Sequence, residues 1–363
     1  MTTFLKSIQI EGFKSIRSST LELRPLNVLI GANGAGKSNF ISFFKMLNQI
    51  ANGEFAFWVQ KSGGASSLLH MGTKVTSKIS ALLTYQIDEA ELNYRFEIDH
   101  VLAGDGFIFE DEHSWYKTQE RPYIMATSTE SRLLNAALSN DQAGLQIRKL
   151  LLENRPYQFH DTSDTAYMKL TGTLDDDVFL KSDAGNLAAV LFRLKSFHPK
   201  HYQKILRTIQ LSAPYFKDFV LEPNGRNIRL RYLEFGSETV YGAYQLSDGT
   251  LRLMALLTLL LQPLESLPST ILIDEPELGL HPHALETVLS VMRSVGGEKQ
   301  IIIATQSVSI VDRLEPEDII VAQRHGSETQ FTRLDATRLE SWLEEYSLGE
   351  LWEKNVLGGR PSR

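Results

Sequence analysis

The chain has 363 residues, 42% hydrophobic and 22% charged, the composition of a globular protein with a substantial core rather than of a disordered or fibrous one. It contains no cysteine, which excludes disulfides, thiol catalysis and cysteine-ligated metal and suits a reducing, cytoplasmic compartment. The formal net charge of −7 gives no overall attraction to nucleic acid and leaves only a local basic face for that role.

Residues 1–6 lack the basic-then-apolar pattern of a signal peptide. Leu5, Ile8 and Ile10, then Leu21 and Leu23, predict short half-buried strands. Leu26-Asn27-Val28-Leu29-Ile30 is nearly continuous in apolar residues, as a strand buried on both faces requires. A glycine-rich turn follows. Phe40, Phe43, Phe44 and Leu47 then fall at i, i+3, i+4 and i+7 and predict a helix. Residues 79–109 predict an antiparallel meander, with Leu92, Tyr94, Phe96 and Ile98 alternating with polar neighbours. Residues 131–152 and 186–209 carry helical spacing. The polar, turn-rich stretch 161–183 reads as a loop or subdomain boundary, and 219–244 returns to strand alternation.

The last third carries three aliphatic runs, 270–273, 301–303 and 319–321, separated by helical stretches. Leu285, Val288, Leu289 and Met292 form the stripe of one of them. Strand, helix, strand, helix, strand predicts a parallel sheet with right-handed crossovers. The most apolar run, 251–261, is too short for a bilayer and contains Arg252, so no membrane association is expected. Residues 358–363 read as a loose tail.

Gly31-Ala32-Asn33-Gly34-Ala35-Gly36-Lys37-Ser38 fits G-x-x-x-x-G-K-[ST] without a mismatch, between a buried strand and a helix. Glycines let successive backbone N–H groups turn inward around phosphate oxygens, and the helix aims its positive end at the same anion. Lys37 is expected on the β- and γ-phosphates and Ser38 on Mg2+. The competing reading is a glycine turn that matches by chance. Ile271-Leu272-Ile273-Asp274-Glu275-Pro276 puts two carboxylates at the end of an apolar strand, where ligands of parallel sheets gather. Asp274 there is suited to Mg2+, and Glu275 to polarising water as a general base. An acidic turn before a helix is the alternative. Leu246-Ser247-Asp248-Gly249-Thr250 precedes a helix, and taken alone Ser247 is an N-cap.

The order of these motifs, ending in Thr305-Gln306-Ser307 after a third aliphatic strand, resembles the ABC ATPase superfamily, whose signature is Leu-Ser-Gly-Gly-Gln. Ile10-Glu11-Gly12-Phe13-Lys14-Ser15-Ile16 resembles the first strand of its branch of SMC, RecF and OLD ATPases, and Pro25-Leu26-Asn27-Val28-Leu29-Ile30-Gly31 and Glu275-Pro276-Glu277-Leu278-Gly279-Leu280-His281-Pro282 resemble stand-alone AAA-family ATPases, many of them tied to antiphage defence. The resemblance covers about residues 1–90 and 185–325. It implies an α/β fold: an ABC ATPase head with a mixed or parallel core sheet, an antiparallel β-subdomain and an α-helical insert. The expected division is 1–95 for the first half of the core, 96–185 for the insert, 186–325 for the second half and 326–363 for a C-terminal extension.

The resemblance also implies a mechanism. Two copies form a homodimer around two ATP molecules, the Ser247 and Gly249 signature of one touching the γ-phosphate held by the other. Its nucleotide-binding residues here are Asn33, Gly34, Ala35, Gly36, Lys37, Ser38, Asn39, Ser247 and Gly249. Its metal residues are Ser38 and Asp274, and its catalytic residues Glu275 and Gln306; the cofactors are ATP and Mg2+. Gln306 stands where transporters of the superfamily carry a switch histidine, and its amide suits γ-phosphate or water. A turn at a strand end is the bland alternative. Asp248 replaces a signature glycine, and a carboxylate there is expected to point away from phosphate. His281 reads equally as a dimer-interface residue or a helix start. The Mg2+-contacting glutamine was expected between Lys61 and Tyr85, where none can be assigned.

Arg193, Lys195, His198, Lys200, His201, Lys204 and Arg207 occur without an acid among them, either gripping phosphates or forming a solvated helix face. With no long heptad run and few residues after Gln306, neither a coiled-coil arm nor an attached nuclease is expected. A separate effector protein, such as a nuclease, and DNA are the candidate partners, in DNA repair or antiphage defence. The alternatives are a transporter's nucleotide-binding subunit and an ATP-binding switch without fast turnover. No Asn-Lys-x-Asp guanine motif occurs.

Overall fold

A computed structural model describes residues 3–117 and 127–359. Two compact units are present. The first comprises Met1–Pro156, Ser269–Leu272 and Lys299–Arg363, the second Tyr157–Pro268 and Ile273–Glu298.

The first unit opens with β1 (Thr3–Phe13) and β2 (Ile16–Glu22), an antiparallel hairpin. β3 (Leu26–Ile30) leads through the glycine turn into α1 (Lys37–Asn52), followed by the short α2 (Phe55–Lys61) and α3 (Ala65–Leu68). β4 (Lys78–Ile87), β5 (Ala90–Val101) and β6 (Gly106–Tyr116) complete a five-stranded sheet of order β2-β1-β4-β5-β6. α1 lies against this subdomain because its apolar face is continuous: Phe40, Phe43, Phe44 and Leu47 are all fully buried. Phe43 meets Phe13 edge-on at 5.3 Å and stacks on Phe96 at 6.4 Å. α4 (Gln142–Glu153), capped by Asp141 accepting from the Gly144 N–H at 2.8 Å, precedes β7 (Asn154–Tyr157). The helical reading of 131–152 holds only for its second half. Arg132–Asn135 is a single 3-10 turn.

The second unit contains β8 (Gly172–Thr173), α5 (Leu187–Phe197), α6 (Pro199–Ser212), β9 (Phe216–Phe219), β10 (Asn227–Ile228), β11 (Arg231–Glu234), β12 (Val240–Gly242) and α7 (Asp248–Leu260). β13 (Thr270–Asp274) begins in the first unit and ends in the second, and leads to α8 (Pro282–Gly296). The helical stretch 186–209 is two helices, because Pro199 lacks an N–H and His198 leaves helical geometry at φ −130. β9, β11 and β12 form a small antiparallel sheet.

Back in the first unit come β14 (Gln300–Thr305), α9 (Val308–Val311), β15 (Ile319–His325), β16 (Glu328–Arg333), α10 (Ala336–Leu343) and α11 (Leu348–Glu353). The core sheet has the order β16-β15-β3-β14-β13-β7. β14 and β15 run parallel to β3, and β16 is antiparallel, so the sheet is mixed. Gln300 ties its start together: its amide donates to the carbonyls of Leu5 (2.8 Å) and Arg24 (3.1 Å) and accepts from Leu5 N–H (3.1 Å) and Thr270 Oγ1 (3.2 Å).

The expected loose tail differs in its described part. Gly358 and Gly359 both take left-handed φ, and Gly359 O accepts the Ala32 N–H at 2.7 Å. A Cβ on Gly359 would lie 2.9 Å from Val321 Cγ1, so glycine permits the approach. Residues 360–363 lie outside the described residues. Among the described residues no helix is long and apolar enough to cross a membrane.

Candidate nucleotide-binding site

The phosphate loop occupies residues 31–36, between the end of β3 and the first residue of α1. Gly34 and Gly36 adopt φ of 76 and 111, conformations that side chains resist. A Cβ on Gly36 would also stand 2.2 Å from Thr329 Oγ1. Gly36 is the N-cap of α1, so no side chain caps the first turn, and that turn carries no acid. No side chain competes with an anion for the positive end of this helix. Lys37 is buried to 5% exposure and its Nζ donates to Gly31 O (2.6 Å) and Ala32 O (3.2 Å), curling over the loop. Asn33, Gly34 and Ser38 are exposed. Ala35 O accepts from Thr329 Oγ1 at 2.9 Å, pinning the loop's inner side. The Asn39 amide donates to Ser15 Oγ at 2.7 Å, so Asn39 offers the loop its backbone rather than its side chain. An uncapped helix start, a loop of turned amides, an ammonium and an exposed hydroxyl fit a polyphosphate with its magnesium ion.

Gln306 belongs to the same unit. β14 pairs in parallel with β3, with Thr305 opposite Ile30, so Gln306 and Gly31 leave the sheet side by side. Thr305 Oγ1 accepts the Ser307 N–H at 2.9 Å, holding that turn.

In the second unit, Asp274 closes β13 at 8% exposure. Its Oδ2 accepts from Gln158 Nε2 at 2.8 Å, and its backbone O lies 3.0 Å from His160 Nε2. Glu275 follows in a left-handed conformation, φ 48, a strain of about 1–3 kcal/mol for a non-glycine residue of the kind stored at functional turns. Gln158 was missed in the sequence. The interval 61–85 contains no glutamine, and β7, which delivers Gln158, is four residues long with a proline inside, too weak a pattern to mark a strand.

Ser247 is the N-cap of α7 and accepts from the Thr250 N–H at 3.2 Å. Gly249 packs backbone to backbone: a Cβ there would sit 2.2 Å from Gly279 O. Asp248 is exposed. Arg252, one turn into α7, donates to Phe159 O (3.0 Å), His160 O (2.8 Å), Thr162 Oγ1 (3.0 Å) and Leu278 O (3.3 Å). One guanidinium thus joins the signature helix to the segment carrying Gln158 and to the turn after Glu275. His281 has N-cap geometry on α8, with Nδ1 accepting from His283 N–H at 3.4 Å, as its helix-start reading requires.

The basic stretch separates into two sets. Arg193 pairs with Asp177 at 3.6 Å and Lys195 with Asp218 at 3.5 Å. His201 Nδ1 lies 2.9 Å from Leu261 O. Lys200, Lys204 and Arg207 instead line an open groove along α6 of about 600 Å³, with Gln203 and Thr208 and no acid.

Residues 26–312 match the family described as "AAA domain, putative AbiEii toxin, Type IV TA system", well over half of the chain. The chain belongs to this AAA domain family. Its fold is that of SMC ATPase heads. The SMC head bound to the C-terminal winged-helix domain of ScpA superposes with TM-score 0.64 at 15% identity, over 93% of this chain and 99% of that one. The SMC head with an extended coiled coil bound to the C-terminal domain of ScpA, from Pyrococcus furiosus, gives 0.62 at 15%, over 94% and 99%. The SMC head of Thermotoga maritima gives 0.50 at 15%, over 91% and 99%. No curated protein matches the sequence.

Proposed function

We propose that the protein is a magnesium-dependent ATPase that dimerises on ATP and passes the closed state to a separate effector protein or to nucleic acid, in DNA repair or antiphage defence. The observation that carries this reading is the uncapped start of α1 beneath the glycine loop, with Lys37 folded over it. The loop amides and Lys37 hold the phosphates. Ser38 and Asp274 would hold Mg2+, with Gln158 orienting the carboxylate. The ion's chemistry is to neutralise charge on the β- and γ-oxygens. Glu275 takes the proton of the attacking water, and Gln306 holds that water or the γ-phosphate. Ser247 and the α7 N-terminus bind the γ-phosphate held by the second copy, so hydrolysis removes the anion that both copies share.

The partner protein named with two of the similar SMC heads, and the toxin–antitoxin wording of the family description, favour an effector on a separate chain. The deciding experiment uses the Glu275→Gln variant with saturating ATP and Mg2+ in light scattering. A dimer that needs ATP supports the reading; a variant that binds ATP and stays monomeric overturns the sandwich.

A further inference from the structure

Ser247, Thr250 and Tyr215 form a chain of hydroxyls at the start of α7. Ser247 Oγ lies 2.9 Å from Thr250 Oγ1, and Thr250 Oγ1 lies 3.1 Å from the Tyr215 hydroxyl. Ser247 Oγ also accepts the Thr250 N–H at 3.2 Å. Tyr215 precedes β9 and is held in place because its carbonyl accepts the Phe235 N–H at 2.9 Å, just past the end of β11. Its ring is 42% exposed, so its hydroxyl rather than its burial is what sets it against α7.

The direction of the chain follows from proton chemistry. A hydroxyl has one proton and two lone pairs. A phenol, with a pKa of about 10, is a better donor than an aliphatic alcohol. Tyr215 therefore donates to Thr250 Oγ1. Thr250 spends its own proton on Ser247 Oγ, which already accepts the Thr250 N–H. Both lone pairs of Ser247 are then occupied, and its O–H must donate away from its own helix. Each donation also polarises the next hydroxyl, strengthening the last donor in the chain.

We infer that Tyr215 is a positioning residue for the signature: through Thr250 it fixes Ser247 as a donor aimed at an anionic phosphate oxygen. This rests on the sandwich reading above, in which Ser247 meets the γ-phosphate of the second copy. Sequence proximity gives no hint of the relay, since Tyr215 and Thr250 are 35 residues apart.

The test is steady-state ATPase activity against ATP concentration for Tyr215→Phe, Thr250→Val, their combination, Thr250→Ser and Ser247→Ala. Binding of a fluorescent ATP analogue to the phosphate loop and thermal melting are measured alongside. Tyr215→Phe removes one hydrogen bond, so the ATP concentration for half-maximal rate should rise about 2- to 10-fold. Analogue binding and melting temperature should be unchanged. Thr250→Val should lose at least as much, and Thr250→Ser should restore wild-type behaviour. The double variant should match Thr250→Val alone, because a broken relay cannot be broken twice. If the two effects multiply instead, or if Tyr215→Phe matches wild type while Ser247→Ala is impaired, the relay is wrong. If Ser247→Ala itself equals wild type, the sandwich reading fails and the relay falls with it.

Discussion

Gln158 and Asp274, 116 residues apart in the chain, meet at the end of β13, where Nε2 of the one donates to Oδ2 of the other at 2.8 Å. A carboxylate held by an amide cannot swing freely, and an amide oxygen belongs to the hard donors that magnesium accepts. The pair makes Gln158 our candidate for the magnesium-contacting glutamine, which the next variant tests.

Gln158→Ala should raise the Mg2+ concentration for half-maximal ATPase activity about 10-fold, the lower end of what loss of an orienting partner costs a metal site. Nucleotide binding in the absence of Mg2+ should be unchanged. A magnesium titration at saturating ATP reads both, and an unchanged midpoint would remove Gln158 from the metal's surroundings.

The loop and the acidic strand end should separate binding from turnover. Lys37→Ala should lose nucleotide binding, and with it all ATPase activity. Glu275→Gln should keep binding and lose about 10²- to 10⁴-fold in rate, the usual contribution of a general base. Full activity in Lys37→Ala would show that the loop is not the phosphate site.

Gly249→Ala places a methyl group 2.2 Å from Gly279 O, so either α7 or the Leu278-Gly279 turn must shift. Overpacking of this kind costs about 1–3 kcal/mol. A lower melting temperature and weaker ATP-dependent dimerisation are expected together; a variant indistinguishable from wild type in both would mean that the two backbones are not in contact.

Lys200→Glu with Lys204→Glu reverses two of the three cations that line the α6 groove. If the groove holds a nucleic-acid backbone, affinity for duplex DNA should fall and the salt slope should shrink by about 2, one for each lost phosphate contact. DNA affinity and DNA-stimulated ATPase activity that remain as in wild type would identify the groove as a solvated helix face.

Glu112 supplies a pH prediction. Burial drives its carboxyl above the usual range, against the hydrogen bonds from Ser131, the Arg132 N–H and Tyr94. A carboxyl whose folded pKa exceeds its unfolded one stabilises the fold below the unfolded value, and that contribution is lost as pH rises through the folded value. Glu112→Gln removes this titration. Its melting temperature relative to wild type should therefore improve as pH rises from about 4.5, the ordinary value of a glutamate carboxyl, toward neutrality; a constant difference across that range would show that Glu112 is not perturbed.

Much of the core was legible because its patterns are local. Phe40, Phe43, Phe44 and Leu47 announce α1 by spacing, and all four are buried. The alternation from Leu92 to Ile98 announces β5. The helix break at His198 was missed although Pro199 is visible, because the apolar spacing continues on both sides of it. Gly358 and Gly359 were misread as part of a loose tail because their role depends on an approach between Gly359 and Ala32 that no local pattern records.

By itself the sequence determined the phosphate loop, the acidic strand end and the alternation of strand and helix, since each is a run of neighbouring residues whose backbone and side-chain chemistry acts locally. Only the tertiary structure decided which distant groups complete those segments: Gln158 on Asp274, Arg252 on two distant stretches of chain, Tyr215 on Thr250 and Thr329 against Gly36. These contacts depend on strand order and on approaches of a few ångströms between backbones, and such distances arise from packing rather than from sequence spacing.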